Sequence, residues 1–462
     1  MNLLRGLDEM NRFSIRQLIV VALCFYLALP VSALRLPLQS PPPAPKEEFV
    51  FTKVDLDLLE EVNLLERRLE REGLVYADAA TNAYLQRIGE TLLPRDQHLE
   101  HVQWKFRALR DPVPNAFALP NGSIYVNTGL IALLENESQL AAMLAHEITH
   151  VLKRHTYLQN RSNRKKFLAM HIIYAVGAWN PVGGVAGLAI GIIAAVSPFL
   201  LVSTIFGYSR ELERDADLKG VEVMTTAEYP PEEMVKALTL LSRDIEGEQL
   251  KLFYNDHPQL KDRIAYVTTY LGSKAEKPTA AAELHREKRA YLTTIETVSR
   301  HDIQLAINSA RFRTAVYLSQ KFAGFRPDSS ENIFWLAESY RSLGPRSPEL
   351  QENELTTSAK KDAAKKRSNL TPEEEERDLL LTEAGQQNWK NNQQKAEELY
   401  LKSLKLDNPV PMAHRGLAML YEKIGRRKEA MDEYQEYLDQ APDALDRERI
   451  LRRIEKLKGS GL

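Results

Sequence analysis

His146-Glu147-Ile148-Thr149-His150 closes the apolar run Gln139-Leu140-Ala141-Ala142-Met143-Leu144-Ala145, and together they carry the spacing of a helix. On such a helix the two histidines, four positions apart, stand one above the other and can grip one divalent ion, while Glu147 is offset toward the open side of that ion. A start is expected near Asn136, whose side chain is placed to cap the helix, with Gln139 as the reciprocal partner of a capping box. Leu140, Met143, Leu144, Ile148, Val151 and Leu152 supply the buried stripe, and His146 and His150 border it. His155, five positions past His150, falls off that face and reads as a solvated helix-end residue.

The whole chain of 462 residues is 44% hydrophobic and 27% charged, ordinary globular material with room for two or three domains. Its net charge of −2 gives no overall pull toward polyanions, so no nucleic-acid partner is expected. The single cysteine, Cys24, sits in an N-terminal apolar segment, so a metal site must be built from His, Asp and Glu. His-Glu-x-x-His is the zinc-peptidase pattern, and it needs a third ligand from elsewhere.

Arg5, Arg12 and Arg16 precede an apolar segment over residues 18–29, followed by Pro30 and Val31-Ser32-Ala33. That order matches a cleavable export signal over residues 1–33, with an uncleaved anchor as the alternative. The Pro-rich residues 34–54 read as a linker into a catalytic domain over 55–272. Residues 55–90 carry helical spacing and should form scaffold helices that cover the metal helix. Residues 102–109 alternate as a strand, and 115–119 and 124–126 flank Pro120-Asn121-Gly122-Ser123 as a hairpin. Such a pair is either purely structural or offers an edge for an extended peptide. Residues 171–206 are nearly uncharged; they read as small-residue helices buried near the site or at a membrane surface, with a membrane-crossing hairpin as the alternative.

Ser209-Arg210-Glu211-Leu212-Glu213-Arg214-Asp215-Ala216-Asp217 follows directly. Glu213 and Asp217 are four apart, so one can bind metal while the other holds a ligand histidine. Glu211 and Asp215 share that spacing, and periodicity alone does not separate the pairs. HEITH followed by SRELERDAD resembles the H-E-x-x-H and S-R-x-x-E-x-x-A-D motifs of the metallopeptidase family that includes the CAAX prenyl endopeptidase, HtpX-type heat-shock proteases and the periplasmic β-barrel assembly-enhancing protease. The last is the member it most resembles. The resemblance implies one zinc ion per chain held by His146, His150 and Glu213, with Glu147 and Asp217 as catalytic residues, Asp217 through its hold on a ligand. It implies that Asn115 and Ala116 line the substrate groove, and that His257 of the His257-Pro258-x4-Arg263-Ile264 segment serves as a regulatory fourth ligand. Ala227-Glu228-Tyr229-Pro230-Pro231 departs from the family's A-G-Y-D-P-like turn.

Beyond Gly272 the composition turns to Lys, Glu and Ala, and residues 273–462 repeat internally: Ala396 and Ala430, and Tyr400 and Tyr434, are 34 apart. Leu417, Ala418, Tyr421, Gly425, Ala430, Tyr434 and Pro442 sit at tetratricopeptide offsets. Residues 345–376 form a charged insertion, read as a loop or extended charged helix, and 447–458 a polar closing helix. The expected fold is therefore mostly α: an α+β zincin-like metallopeptidase domain with a small β-sheet, then an α-solenoid of tetratricopeptide repeats. The resemblance implies a periplasmic endopeptidase that degrades misfolded or stalled outer-membrane proteins and assists their assembly. Its implied partners are such unfolded proteins and, through the repeats, the outer-membrane assembly machinery, with peripheral membrane contact. A repeat-based chaperone or adaptor with a latent site, and a membrane-integrated protease, are the alternatives.

Overall fold

Thr52 opens the first helix because its backbone and the side chain of Asp55 satisfy each other: Asp55 accepts from the Thr52 N–H at 2.7 Å and from its hydroxyl at 2.6 Å. The structure is a computed structural model describing residues 49–95, 99–161, 208–243, 260–274, 281–348 and 371–459. The export signal, the apolar stretch 171–206 and His257 lie outside those residues.

Helix α1 (Lys53–Arg71) buries Leu58, Leu59, Val62, Leu65 and Leu69, the stripe read from sequence. Its polar anchors, however, run to the sheet. Glu66 accepts from the Ser123 hydroxyl, from Asn121 at 2.8 Å and from Tyr125 at 3.2 Å. Helix α2 (Ala79–Leu92), capped by Asp78, is the scaffold helix that packs along the metal helix.

Strand β1 (Lys105–Leu109) runs parallel to β3 (Ser123–Asn127), and β2 (Ala116–Ala118) pairs antiparallel with β3, giving the order β1-β3-β2. The hairpin expected between β2 and β3 is present, with Gly122 at φ 92, a conformation that Asn121-Gly122 supplies without a Cβ penalty. The outer edge of β1 is closed by α2. Gln86 Oε1 accepts from Phe106 N at 3.0 Å and Asn82 Oδ1 from Ala108 N at 2.9 Å. β2 forms the other edge and lies against the metal helix.

After the short helix α3 (Thr128–Leu133) comes the metal helix, α4 (Glu137–Leu152). Asn136 caps it as expected, accepting from Gln139 N at 2.8 Å, but Gln139 Oε1 turns to Glu135 N at 2.8 Å, so the reciprocal half serves the residue before the cap. Both side-chain amides donate to Glu233 at 2.9 Å. Every residue from 138 to 151 is buried, so α4 is the centre of the core rather than an amphipathic helix with one apolar stripe.

α5 (Arg210–Thr226) and α6 (Glu233–Leu241) pack against it, and α7 (Leu260–Lys274) packs on those two. Between α5 and α6, Glu228 adopts φ 62, so the turn where the resembling family carries glycine keeps its left-handed shape with a glutamate.

Helices continue as α8 (Ala281–Thr294), α9 (Glu296–Asn308), α10 (Phe312–Phe325), α11 (Ser330–Leu343), α12 (Pro372–Leu380), α13 (Glu383–Lys405), α14 (Met412–Lys423), α15 (Arg427–Gln440) and α16 (Arg447–Gly459). The composition change at Gly272 is no break in packing. Tyr291, Leu292, Ile295, Val298 and Phe322 share one apolar core with α4. Lys321 reaches back to donate to the carbonyls of Ala132 at 2.7 Å and Leu134 at 2.6 Å, closing the end of α3.

α14 and α15 bury Leu417, Ala418, Tyr421, Ala430 and Tyr434, with Gly425 at φ 84 between them. The acid run 373–376 begins α12 under a Thr371–Glu374 capping box. It is paired rather than simply solvated: Glu375 binds Arg346 at 2.6 Å and Glu376 binds Lys423 at 2.7 Å.

Candidate active site

Helix α4 alone sets His146 and His150 on one face, their Nε2 atoms 3.1 Å apart. Helix α5 completes the group because its buried face, Glu213, Ala216, Asp217, Gly220, Val221 and Met224, repeats at three and four residues and lies against α4. Gly220 permits the close crossing, since a Cβ there would stand 3.3 Å from His146 N. Two turns earlier, Glu213 carries its carboxylate to 3.6 Å from His146 Nε2 and 3.5 Å from His150 Nε2. Periodicity left two pairs open on α5; packing resolves them, with Glu213 and Asp217 1% and 0% exposed while Glu211 faces solvent.

His146 Nδ1 lies 2.8 Å from Asp217 Oδ1. A carboxylate only accepts, so the ring proton is on Nδ1 and the nearby Arg263 Nη2, at 3.3 Å, makes no hydrogen bond to that atom. Arg263, from α7, instead forks onto Asp217 at 2.8 and 2.6 Å and reaches Glu213 at 3.2 Å. Tyr266, one turn further on, donates to Asp217 as well. Burial works to raise the Asp217 carboxyl, but the Arg263 and His146 contacts outweigh it and hold the group well below the usual carboxylate range. Burial pushes the Tyr266 phenol up, and the Asp217 charge adds to that. Burial likewise holds His150 well below the usual imidazole range, against the opposing pull of Glu213.

His155 does not behave as a solvated helix-end residue. It is 1% exposed, its Nδ1 lies 3.0 Å from His150 Nδ1, and its Nε2 lies 3.2 Å from Asp215 Oδ2. That hydrogen bond is the main reason the Asp215 carboxyl sits below its ordinary value. The cause of the misreading is local. α4 ends at Lys153, and Arg154 takes φ 56, so His155 leaves the helical register on which the spacing argument rests. Tyr208 was not singled out either; its ring stacks on His150 at 3.9 Å between centroids, and its hydroxyl bonds Thr156 at 2.8 Å.

Glu147 is 3% exposed and lies between the two histidines on α4. Asn115 accepts from Asn127 N at 2.8 Å, and Ala116 is buried in β2 beside α4. Among the described residues, His146, His150 and Glu213 are the only His, Cys, Asp and Glu side chains clustered so as to hold a metal ion, with their donor atoms within 4.8 Å of one another. The fit can be tested on distances. A tetrahedral ion with bonds of about 2.0–2.1 Å separates its ligands by about 3.3 Å; here the two Nε2 atoms are 3.1 Å apart and the Glu213 carboxylate spans them, with Oε2 3.6 Å from His146 Nε2 and Oε1 3.5 Å from His150 Nε2. The donor chemistry agrees: with the His146 proton on Nδ1, its Nε2 presents a lone pair to its neighbours, which only a cation or a donated proton satisfies.

Residues 79–271 match the model of Peptidase family M48. The chain is 29% identical over 196 residues to the mitochondrial metalloendopeptidase OMA1 of Schizosaccharomyces pombe, covering 41% of this chain and 53% of that one. It is 25% identical over 225 residues to the beta-barrel assembly-enhancing protease of Yersinia pestis, covering 47% and 44%. Against the protein of that name from Escherichia coli the figures are 24%, 36% and 34%. The matched part thus spans about half the length of these relatives or less.

Proposed function

We propose that this protein is a zinc-dependent endopeptidase of the cell envelope, because residues 79–271 match the model of Peptidase family M48 and the chain is similar to proteins named as a metalloendopeptidase and a beta-barrel assembly-enhancing protease. The observation that carries the proposal is the buried cluster of His146, His150 and Glu213, whose donor atoms lie within 4.8 Å of one another. These three side chains would hold the zinc, which when bound supplies Lewis acidity and lowers the pKa of a water toward about 7. Glu147 takes the proton of the attacking water and later passes a proton to the leaving amine. Asp217, held by Arg263 and Tyr266, fixes the proton of His146 on Nδ1 and so turns the Nε2 lone pair toward His150 and Glu213. An extended substrate adds to the free edge of β2, with Asn115 and Ala116 beside the metal helix.

The envelope location is supported by the basic, apolar and small-residue order of residues 1–33. None of the helices among the described residues is long and apolar enough to cross a membrane. Two assignments are supported by the relatives named for β-barrel assembly and by the paired helices α14 and α15 at tetratricopeptide offsets. One is a repeat array that docks partners. The other is a substrate class of misfolded or stalled outer-membrane proteins. Metal analysis of the purified chain tests the core of this reading. One zinc per chain is expected, lost in His146→Ala/Glu213→Ala together with cleavage of casein or a misfolded barrel protein. Stoichiometric zinc in the double variant sinks it. Fractionation tests the location, and recovery in the cytoplasm would overturn it.

A further inference from the structure

We infer that His155 and Asp215 are positioning residues for His150, forming a relay that sets which nitrogen of His150 carries its proton. The inference rests on the reading of His146, His150 and Glu213 as metal ligands.

Asp215 Oδ2 can only accept, so the 3.2 Å contact requires the proton of His155 on Nε2. A neutral imidazole carries one N–H, so His155 Nδ1 is an acceptor. The 3.0 Å contact between the two Nδ1 atoms then requires the proton of His150 to be on Nδ1, donated to His155. His150 Nε2 is left with its lone pair, facing His146 Nε2 at 3.1 Å and Glu213 at 3.5 Å. For a neutral His155 each step follows from the one before it, and the chain ends on the atom that would bind.

The two histidines of α4 are thus served differently. His146 meets a fully buried carboxylate directly, whereas His150 reaches one through an intervening ring, and Asp215 is 47% exposed with Lys153 3.8 Å away. The relay is built by the chain reversal at Arg154, which returns His155 to the helix it has just left. Tyr208 keeps the geometry, stacked on the His150 ring and bonded to Thr156 next to His155. Loss of such a partner of a ligand typically costs about 10- to 100-fold in metal affinity.

The test is zinc affinity of the full-length protein, measured by competition with a chromophoric chelator, with far-UV circular dichroism as the check on folding. His155→Leu removes both contacts and is expected to weaken zinc about 10- to 100-fold. His155→Asn places a carbonyl oxygen where Nδ1 stands and is expected to recover most of that loss. Asp215→Ala, at a half-exposed position, is expected to fold normally and to weaken zinc about 3- to 10-fold by freeing the His155 tautomer. Unchanged affinity in His155→Leu overturns the relay. Equal weakness in the Leu and Asn variants also overturns it, since the ring would then act by packing alone. If His155→Leu fails to fold, wild-type affinity in Asp215→Ala is the overturning result. A wild-type protein that binds no zinc removes the ligand reading itself, and the relay with it, which separates the two failures.

Discussion

Replacing Arg263 by Met should destabilise the metal-free protein by about 3–5 kcal/mol near neutral pH. The guanidinium is 4% exposed and holds Asp217 through two contacts at 2.8 and 2.6 Å and Glu213 through one at 3.2 Å. Removing it takes the guanidinium away from two carboxylates that are 0% and 1% exposed, leaving Asp217 to His146 and Tyr266, and loss of one partner of a buried ion pair is among the costliest single changes a core can suffer. The deficit should depend on pH with a definite sign. In the native protein Asp217 is depressed well below its ordinary 3.8, so its contribution is present above that value and is lost only as pH falls through the depressed one. In the variant, burial without the cation raises the carboxyl above 3.8, so folding takes up a proton and variant stability falls as pH rises. The gap between the two proteins should therefore narrow from pH 7 toward pH 4.5. Urea unfolding in the presence of a chelator, followed by circular dichroism across that range, measures it. A gap under about 1 kcal/mol at pH 7, or one that does not change with pH, would refute the account of Arg263 as the clamp on the site.

Glu147→Gln should keep stoichiometric zinc while cutting peptide cleavage by at least about 100-fold, as loss of a general base does; loss of the metal in that variant would instead place Glu147 among the ligands. Glu228→Gly should raise stability by about 1 kcal/mol, because an exposed glutamate now occupies a left-handed φ of 62 at the end of α5. Thermal denaturation at fixed pH reads that gain. Lys321 is half-buried, with its amine packed onto the carbonyls of Ala132 and Leu134, and desolvation there brings the amine down to about 7. The unfolded chain keeps that proton to higher pH, so Lys321 makes stability rise between about pH 7 and 10. Urea unfolding at both ends should show that rise in the native protein and a flatter profile in Lys321→Met.

Most of the site was legible before any packing was known, and the exceptions share a cause. His146, Glu147 and His150 stand on one helix, where a spacing of four residues dictates a shared face. Glu213 and Asp217 obey the same rule on a second helix, but Glu211 and Asp215 obey it equally. The family resemblance favours Glu213 and Asp217, and the physical reason is the face that Gly220 allows against α4. Arg263 was visible as a motif residue without a task, and its task appears once α7 brings it between two carboxylates. The pairing of the acid run at 373–376 was not legible because Arg346 and Lys423, its partners, are distant in sequence.

What the amino-acid sequence determined by itself is whatever a single helix or turn enforces locally: the histidine pair, the caps of α1 and α4, the hairpin at Gly122 and the apolar stripes. The third member of the triangle, the clamp on Asp217 and the return of His155 to His150 were decided only in three dimensions. Each joins groups whose separation is set by how helices cross and where they stop. His155 shows why most plainly: five positions along a continuous helix point away, and one left-handed residue at Arg154, unmarked by any glycine or asparagine, points it back.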